Sequence, residues 1–170
     1  MFILKVILMV SIGIAAVIQD IHSNKISNGL ILLGLLLGVS YDIEKMGVRG
    51  ILFWLGGVSV PFISLFLLYF FRTIGAGDIK LLCVFGGFLG IVPIFKCIVL
   101  SFLIGAIISL GVIIRRKNWI ERLHYLGNYI LEWKESKKWK PYYVKEQKGN
   151  IIHFSIPITI SIILYLGGVF

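Results

Sequence analysis

Two aspartates sit at the edges of apolar stretches. Asp20 ends the run Ala15-Ala16-Val17-Ile18-Gln19-Asp20, and Asp78 follows two glycines in Ile74-Gly75-Ala76-Gly77-Asp78-Ile79-Lys80. An ionisable residue beside a membrane-length apolar run is costly to keep, which makes it a functional candidate by default. Two neighbouring carboxyls can share one proton. One then activates water as a base, and the other donates a hydrogen bond to the carbonyl under attack, the division of labour that hydrolyses a peptide bond. Helix ends are expected to bias the pair in opposite senses. Asp20 lies near the C-terminal end of a first helix, where the dipole disfavours negative charge, and Asp78 lies at a helix N-terminus, where it favours ionisation. Two plainer readings stand beside this one: Asp78 as the N-cap of the helix it opens, and Asp20 as a solvated interfacial residue.

Other side chains offer less. Gly75 and Gly77 free the backbone and would let another segment approach Asp78 closely. Ser27, Asn24 and Asn28 suit turns and caps, and Asn28 is placed to help satisfy the first donors of a second helix. His22, His124 and His153 are scattered, and no pair has the spacing of a zinc site, so no metal and no cofactor is expected. Cys83 and Cys97 fall in or beside apolar runs and read as buried thiols, with a disulfide as the alternative. Neither a nucleophile elbow nor a phosphate-binding loop occurs.

The elements that must carry these residues are membrane helices. The chain of 170 residues is 58% hydrophobic, with a mean hydropathy of +0.96; soluble domains are typically about 45–50% apolar. Runs without Asp, Glu, Lys or Arg recur at Gly50–Phe71, Cys97–Ile114 and Ile151–Phe170, each about long enough to cross a hydrocarbon core roughly 30 Å thick. The expected fold is all-α and polytopic, a single domain over residues 1–170 with about six transmembrane helices. The first is expected at Phe2–Gln19, retained in place of a cleaved signal because a second run begins at Ile26. The others fall near Ile26–Tyr41, Gly50–Phe71, Ile79–Val92, Phe95–Ile114 and Ile151–Phe170. Asp42–Arg49 reads as a short charged loop, and Pro93 as the tight exit from the fourth span.

Charge orients these spans. Net charge is +9, and ten of the 17 Lys and Arg lie between Arg115 and Lys148. With the amino terminus outside, the links at 20–25 and 72–80 and the segment 115–150 share one face and hold 13 of those 17 basic residues. The positive-inside rule assigns that face to the cytoplasm of the plasma membrane, and Asp20 and Asp78 with it. Within 115–150, Trp119, Tyr125, Tyr129, Trp133, Trp139, Tyr142 and Tyr143 alternate with cations. This suits an interfacial piece that contacts anionic lipid, and no motif for nucleic acid is present.

A family resemblance follows from the same residues. Gly75-Ala76-Gly77-Asp78 with Ile79-Lys80-Leu81 resembles the GxGD motif of type IV prepilin peptidases, which are membrane aspartic proteases. Asp20-Ile21 followed by Ile26-Ser27-Asn28 is similar to that family's first-aspartate signature, with Ser27 where proline is usual. His153-Phe154-Ser155-Ile156-Pro157-Ile158 loosely resembles its last-helix motif. The resemblance implies catalytic roles for Asp20 and Asp78, with Gly75, Gly77, Asn28 and Lys80 as motif and positioning residues. It implies a prepilin-like protein as substrate, cut before its hydrophobic segment at the cytoplasmic face, and leaves the oligomeric state open. Larger members carry paired CxxC motifs and methylate the new terminus. This chain starts at its first span without them and is similar to the compact, peptidase-only forms of tight-adherence pilus systems and to archaeal preflagellin peptidases, so no methyltransferase activity is expected. A different class stays open beside it: a non-catalytic pilin-assembly scaffold or a small proton-coupled transporter, although a proton path would prefer carboxylates near mid-span.

Overall fold

Six helices account for nearly all of the described residues, 2–115 and 153–169, of the computed structural model. They are α1 (Phe2–Ser23), α2 (Asn28–Met46), α3 (Val48–Phe70), α4 (Ala76–Leu89), α5 (Ile91–Arg115) and α6 (Ser155–Leu166). The basic, aromatic-rich stretch from Arg116 to Ile152 lies outside the described residues. The chain divides into two compact units, residues 1–105 with 153–170, and residues 106–152. The residues of the candidate site all belong to the first.

The build is the all-α one of a polytopic membrane protein, with the helices differing in kind. Stretches long and apolar enough to cross a membrane occur in α1, α3 and α5, at Ile3–Ser23, Val48–Phe70 and Ile91–Val112. The 19-residue α2 carries Asp42, Glu44 and Lys45 near its C-terminal end, and α4 and α6 are only 14 and 12 residues long.

The short α4 is the centre of this unit. From Leu81 to Leu89 every residue is buried, and α1, α2, α3 and α6 all pack against it. A helix that is apolar all round belongs where neighbours cover every face. Here protein supplies that cover, and so 14 residues suffice.

The tightest packing joins α3 and α4. A side chain at Gly57 would run into the Gly86 carbonyl, and one at Gly86 into the Gly57 carbonyl. Pro61 lies four residues beyond Gly57 inside α3 and has no N–H to give that carbonyl. The freed Gly57 oxygen instead lies against the Gly86 backbone. Polar carbonyls thus meet backbone, and the two helices approach more closely than side chains would allow.

Two boundaries differ from the sequence reading. The exit from α4 is Gly90, at φ 83°, a left-handed conformation that glycine adopts without strain, and a side chain there would strike the Phe53 ring. Pro93 sits instead in the first turn of α5, where a missing N–H costs no helical hydrogen bond. The charged stretch Asp42–Arg49 is not a loop: α2 runs through Met46 and α3 begins at Val48, with Gly47 between them. Asp42 is consequently buried, 2% exposed, with Gly50 of α3 pressed on its backbone carbonyl.

Candidate active site

Both aspartates arrive at one end of the first unit because each sits within a turn of a helix end. Asp20 lies in the last turn of α1, and its carbonyl accepts from Asn24 N–H at 2.8 Å, where the chain turns with Asn24 at φ 53°. The link to α2 is then fastened back on α1. Gln19 Oε1 accepts from Ser27 N–H at 2.9 Å, and Ser27 Oγ caps α2 by accepting from Gly29 N–H at 3.2 Å. Ser27, rather than Asn28, therefore satisfies the first donors of α2, and Asn28 begins the helix.

On the other side, α3 ends in a Schellman turn. Thr73 N–H donates to Leu68 at 3.0 Å and Arg72 N–H to Tyr69 at 2.9 Å, with Arg72 in the left-handed region at φ 55°. Gly75 follows as the N-cap of α4. Asp78 is thus the third helical residue rather than the cap itself, and the Gly75 backbone N–H nearby favours its charged form.

The motif glycines serve a looser purpose than close backbone approach. A Cβ at Gly77 would meet the Ile26 side chain at 3.6–3.7 Å, an ordinary contact, and one at Gly75 would meet Asp78 Oδ2 at 3.1 Å. Ile26 belongs to the α1–α2 link, so this link packs on the start of α4. A second tie runs beside it: Lys80 Nζ donates to Asn28 Oδ1 at 2.9 Å on the exposed side. The residues expected to position the site, Asn28 and Lys80, are therefore bonded to each other.

The electrostatics reverse one expectation. Burial pushes Asp78 up to about 6, and the charge of Asp20 pushes the same way. The Gly75 N–H and His153 pull against these and lose. The helix N-terminus does not carry the balance toward ionisation, because Asp78 is largely withdrawn from water beside another carboxylate.

Two further side chains complete the site, and both come from the α6 end. Ser155 Oγ donates to Asp20 Oδ2 at 2.6 Å. His153 Nδ1 lies 3.4 Å from the same oxygen, with Asp20 13% and His153 20% exposed at the side chain. Packing of α6 on α1 sets this geometry: Thr159 Oγ1 lies 2.9 Å from the Ser155 carbonyl and 3.4 Å from the Gly13 carbonyl. A Cβ at Gly13 would stand 2.8 Å from Thr159 Cγ2. Sequence reasoning left Ser155 and His153 out of the site, although the six-residue string that contains them was its third point of resemblance. Among the described residues, no group of three His, Cys, Asp or Glu side chains is placed to hold a metal ion. The two cysteines are free and buried.

The arrangement brings a carboxyl pushed toward its protonated form, Asp78, to the same end as a second carboxyl, Asp20, that accepts a hydrogen bond from Ser155. No curated protein and no solved structure matches the chain significantly. A profile of the type IV leader peptidase family matches residues 7–110, which include both aspartates and Gly75–Lys80. That match spans well over half of the sequence, and the chain belongs to the type IV leader peptidase family.

Proposed function

We propose that this protein is a membrane aspartic endopeptidase that removes the leader peptide of prepilin-like proteins. The observation that carries the reading is that Asp20 and Asp78, from different helices, meet at one end of this unit, where the charge of Asp20 adds to burial in pushing Asp78 toward its protonated form. Asp78 enters the reaction as the acid and Asp20 as the base. Asp20 takes a proton from water as the water oxygen bonds to the scissile carbonyl carbon, and Asp78 gives its proton to the carbonyl oxygen. As the resulting diol collapses, the C–N bond breaks, the proton on Asp20 passes to the leaving nitrogen, and Asp78 recovers its own.

The substrate is a protein with a short basic leader ahead of an apolar helix, as the family implies. Its cleavage point would meet the pair at the cytoplasmic face. The links at that end of the bundle carry Lys25 and Arg72, and α4 carries Lys80, positive charge of the kind that marks a cytoplasmic face. Lys5 and Lys45 gather around Asp42 in a separate group of charges, consistent with an opposite, outer end. Peptide cleavage is the whole of the proposed activity, with no methylation of the new terminus.

The test is cleavage of a prepilin-like substrate by membranes holding wild-type, Asp20→Asn or Asp78→Asn protein at equal abundance, read by the mass of the new amino terminus. Both variants should be inactive. Retained cleavage in either removes that aspartate from the chemistry.

A further inference from the structure

The family match ends at residue 110, so it assigns nothing to the α6 end. Yet the shortest side-chain hydrogen bond to the candidate base comes from there. Ser155 is fully buried, and its hydroxyl donates to Asp20 Oδ2 at 2.6 Å across 135 residues of chain. His153 Nδ1 faces that same oxygen at 3.4 Å, without hydrogen-bond geometry of its own.

The geometry points to Ser155 as a positioning residue that holds Asp20 by its Oδ2 and so aims the other carboxylate oxygen at the attacking water, with His153 beside the same oxygen acting on the pair by charge. The inference rests on the proteolytic reading of Asp20. Its physical content is simple. A carboxylate on the last turn of a helix can rotate about χ1 and χ2, and a general base works only when the oxygen that takes the proton is fixed within hydrogen-bond reach of the water. A donor bonded to one oxygen removes that freedom. The donor is itself fixed, because Thr159 ties the Ser155 carbonyl and the Gly13 carbonyl together one turn deeper. Asp20, Ser155, Thr159 and Gly13 therefore form one continuous support from the buried α1–α6 contact to the reacting end.

His153 acts on the pair by charge. It faces Asp20 directly, and its charge also reaches Asp78, opposing the effects of burial and of Asp20. The titratable groups that meet here are one each from α1, from α4 and from the segment leading into α6. A positive charge there favours the charged form of Asp78.

The experiment uses the full chain in detergent or vesicles and a synthetic substrate with a short basic leader, a glycine and an apolar helix. Ser155→Ala should lower kcat about tenfold or more with KM little changed, the loss expected for a charge-assisted hydrogen bond. Ser155→Cys keeps nearly the same volume with a weaker donor. It should lose kcat at unchanged melting temperature, which separates positioning from packing. His153→Gln should move the alkaline limb of the kcat/KM profile to higher pH, because a charge that opposes the proton on Asp78 is gone. Wild-type kcat in both Ser155 variants, or losses that only track the amount of folded protein, overturn the role of Ser155. An unmoved pH profile in His153→Gln overturns that of His153. Activity in Asp20→Asn would sink the proteolytic reading itself, an outcome distinct from either.

Discussion

Gly57 of α3 and Gly86 of α4 meet backbone to backbone, each carbonyl lying where the other residue would carry a side chain. This contact, far from the GxGD motif, fixes how α4 stands in the bundle and therefore where its first turn places Asp78. Ala at either position adds one methyl to a site with no room for it, and overpacking a core costs about 1–3 kcal/mol or more. Gly57→Ala and Gly86→Ala should lower the melting temperature and the yield of folded protein. Gly77→Ala meets only Ile26 at ordinary contact distance and should fold and cleave close to wild type. Thermal unfolding in detergent checks all three; normal stability of Gly86→Ala would mean that the helices can part at no cost.

Proteolysis should show an acid-sided pH dependence. Asp78 is raised from its ordinary value of 3.8 to about 6 by burial and by Asp20. Its proton is held below that pH and lost above it. If the acid role falls to Asp78, kcat/KM of the solubilised enzyme declines as pH rises through about 6. A rate constant that instead climbs from pH 5 to 8 would assign Asp78 the opposite role.

Much of this was legible in the sequence, and the exceptions have physical causes. Six apolar runs predict six membrane-spanning helices because an unpaired backbone cannot cross hydrocarbon; the described residues hold six helices, of which α1, α3 and α5 are long and apolar enough to cross, and Asp20 and Asp78 fall near helix ends. Apolarity does not say what covers a helix, so α4 read as a lipid-spanning segment when its neighbours in fact surround it. The N-terminal dipole predicted an ionised Asp78, because proximity to Asp20 and the depth of burial are tertiary facts. Likewise Ser155 is an ordinary residue in an apolar run until α6 folds against α1. Gly57 and Gly86 carry no local signal beyond a Pro61 that leaves one carbonyl free.

The Lys80–Asn28 bond ties the start of α4 to the start of α2 at 2.9 Å, and both residues are exposed. Such contacts contribute little to stability, about 0–1 kcal/mol. Lys80→Met and Asn28→Ala should therefore each leave the melting temperature almost unchanged. Their effect should appear in activity as a few-fold loss, because they steady the link that carries Ile26 against the turn of Asp78. The double variant should be no worse than the poorer single one if both act through this one bond. Independent, multiplying losses would show that Lys80 or Asn28 meets the substrate directly.

Asp42 supplies a stability test away from Asp20 and Asp78. It lies past the apolar part of α2 and is 2% exposed, with Oδ2 lacking a hydrogen-bond partner. Burial raises it from 3.8 to about 6, against the opposing charges of Lys5 and Lys45. The folded state then holds a proton that the unfolded state has already released. Stability is therefore greatest below about pH 4 on this account and falls as pH rises toward 6, where the folded group also ionises. Asp78, raised in the same direction, contributes a similar slope. Asp42→Asn should flatten the fall in melting temperature between pH 4 and 7 without removing it, and the further change Asp78→Asn should flatten it again. Lys5→Met removes a cation that favours the charged Asp42, so the decline should extend above pH 6. A melting temperature in Asp42→Asn that follows the wild-type pH course would mean that Asp42 stays ionised in the fold, held by Lys5 and Lys45 despite its burial.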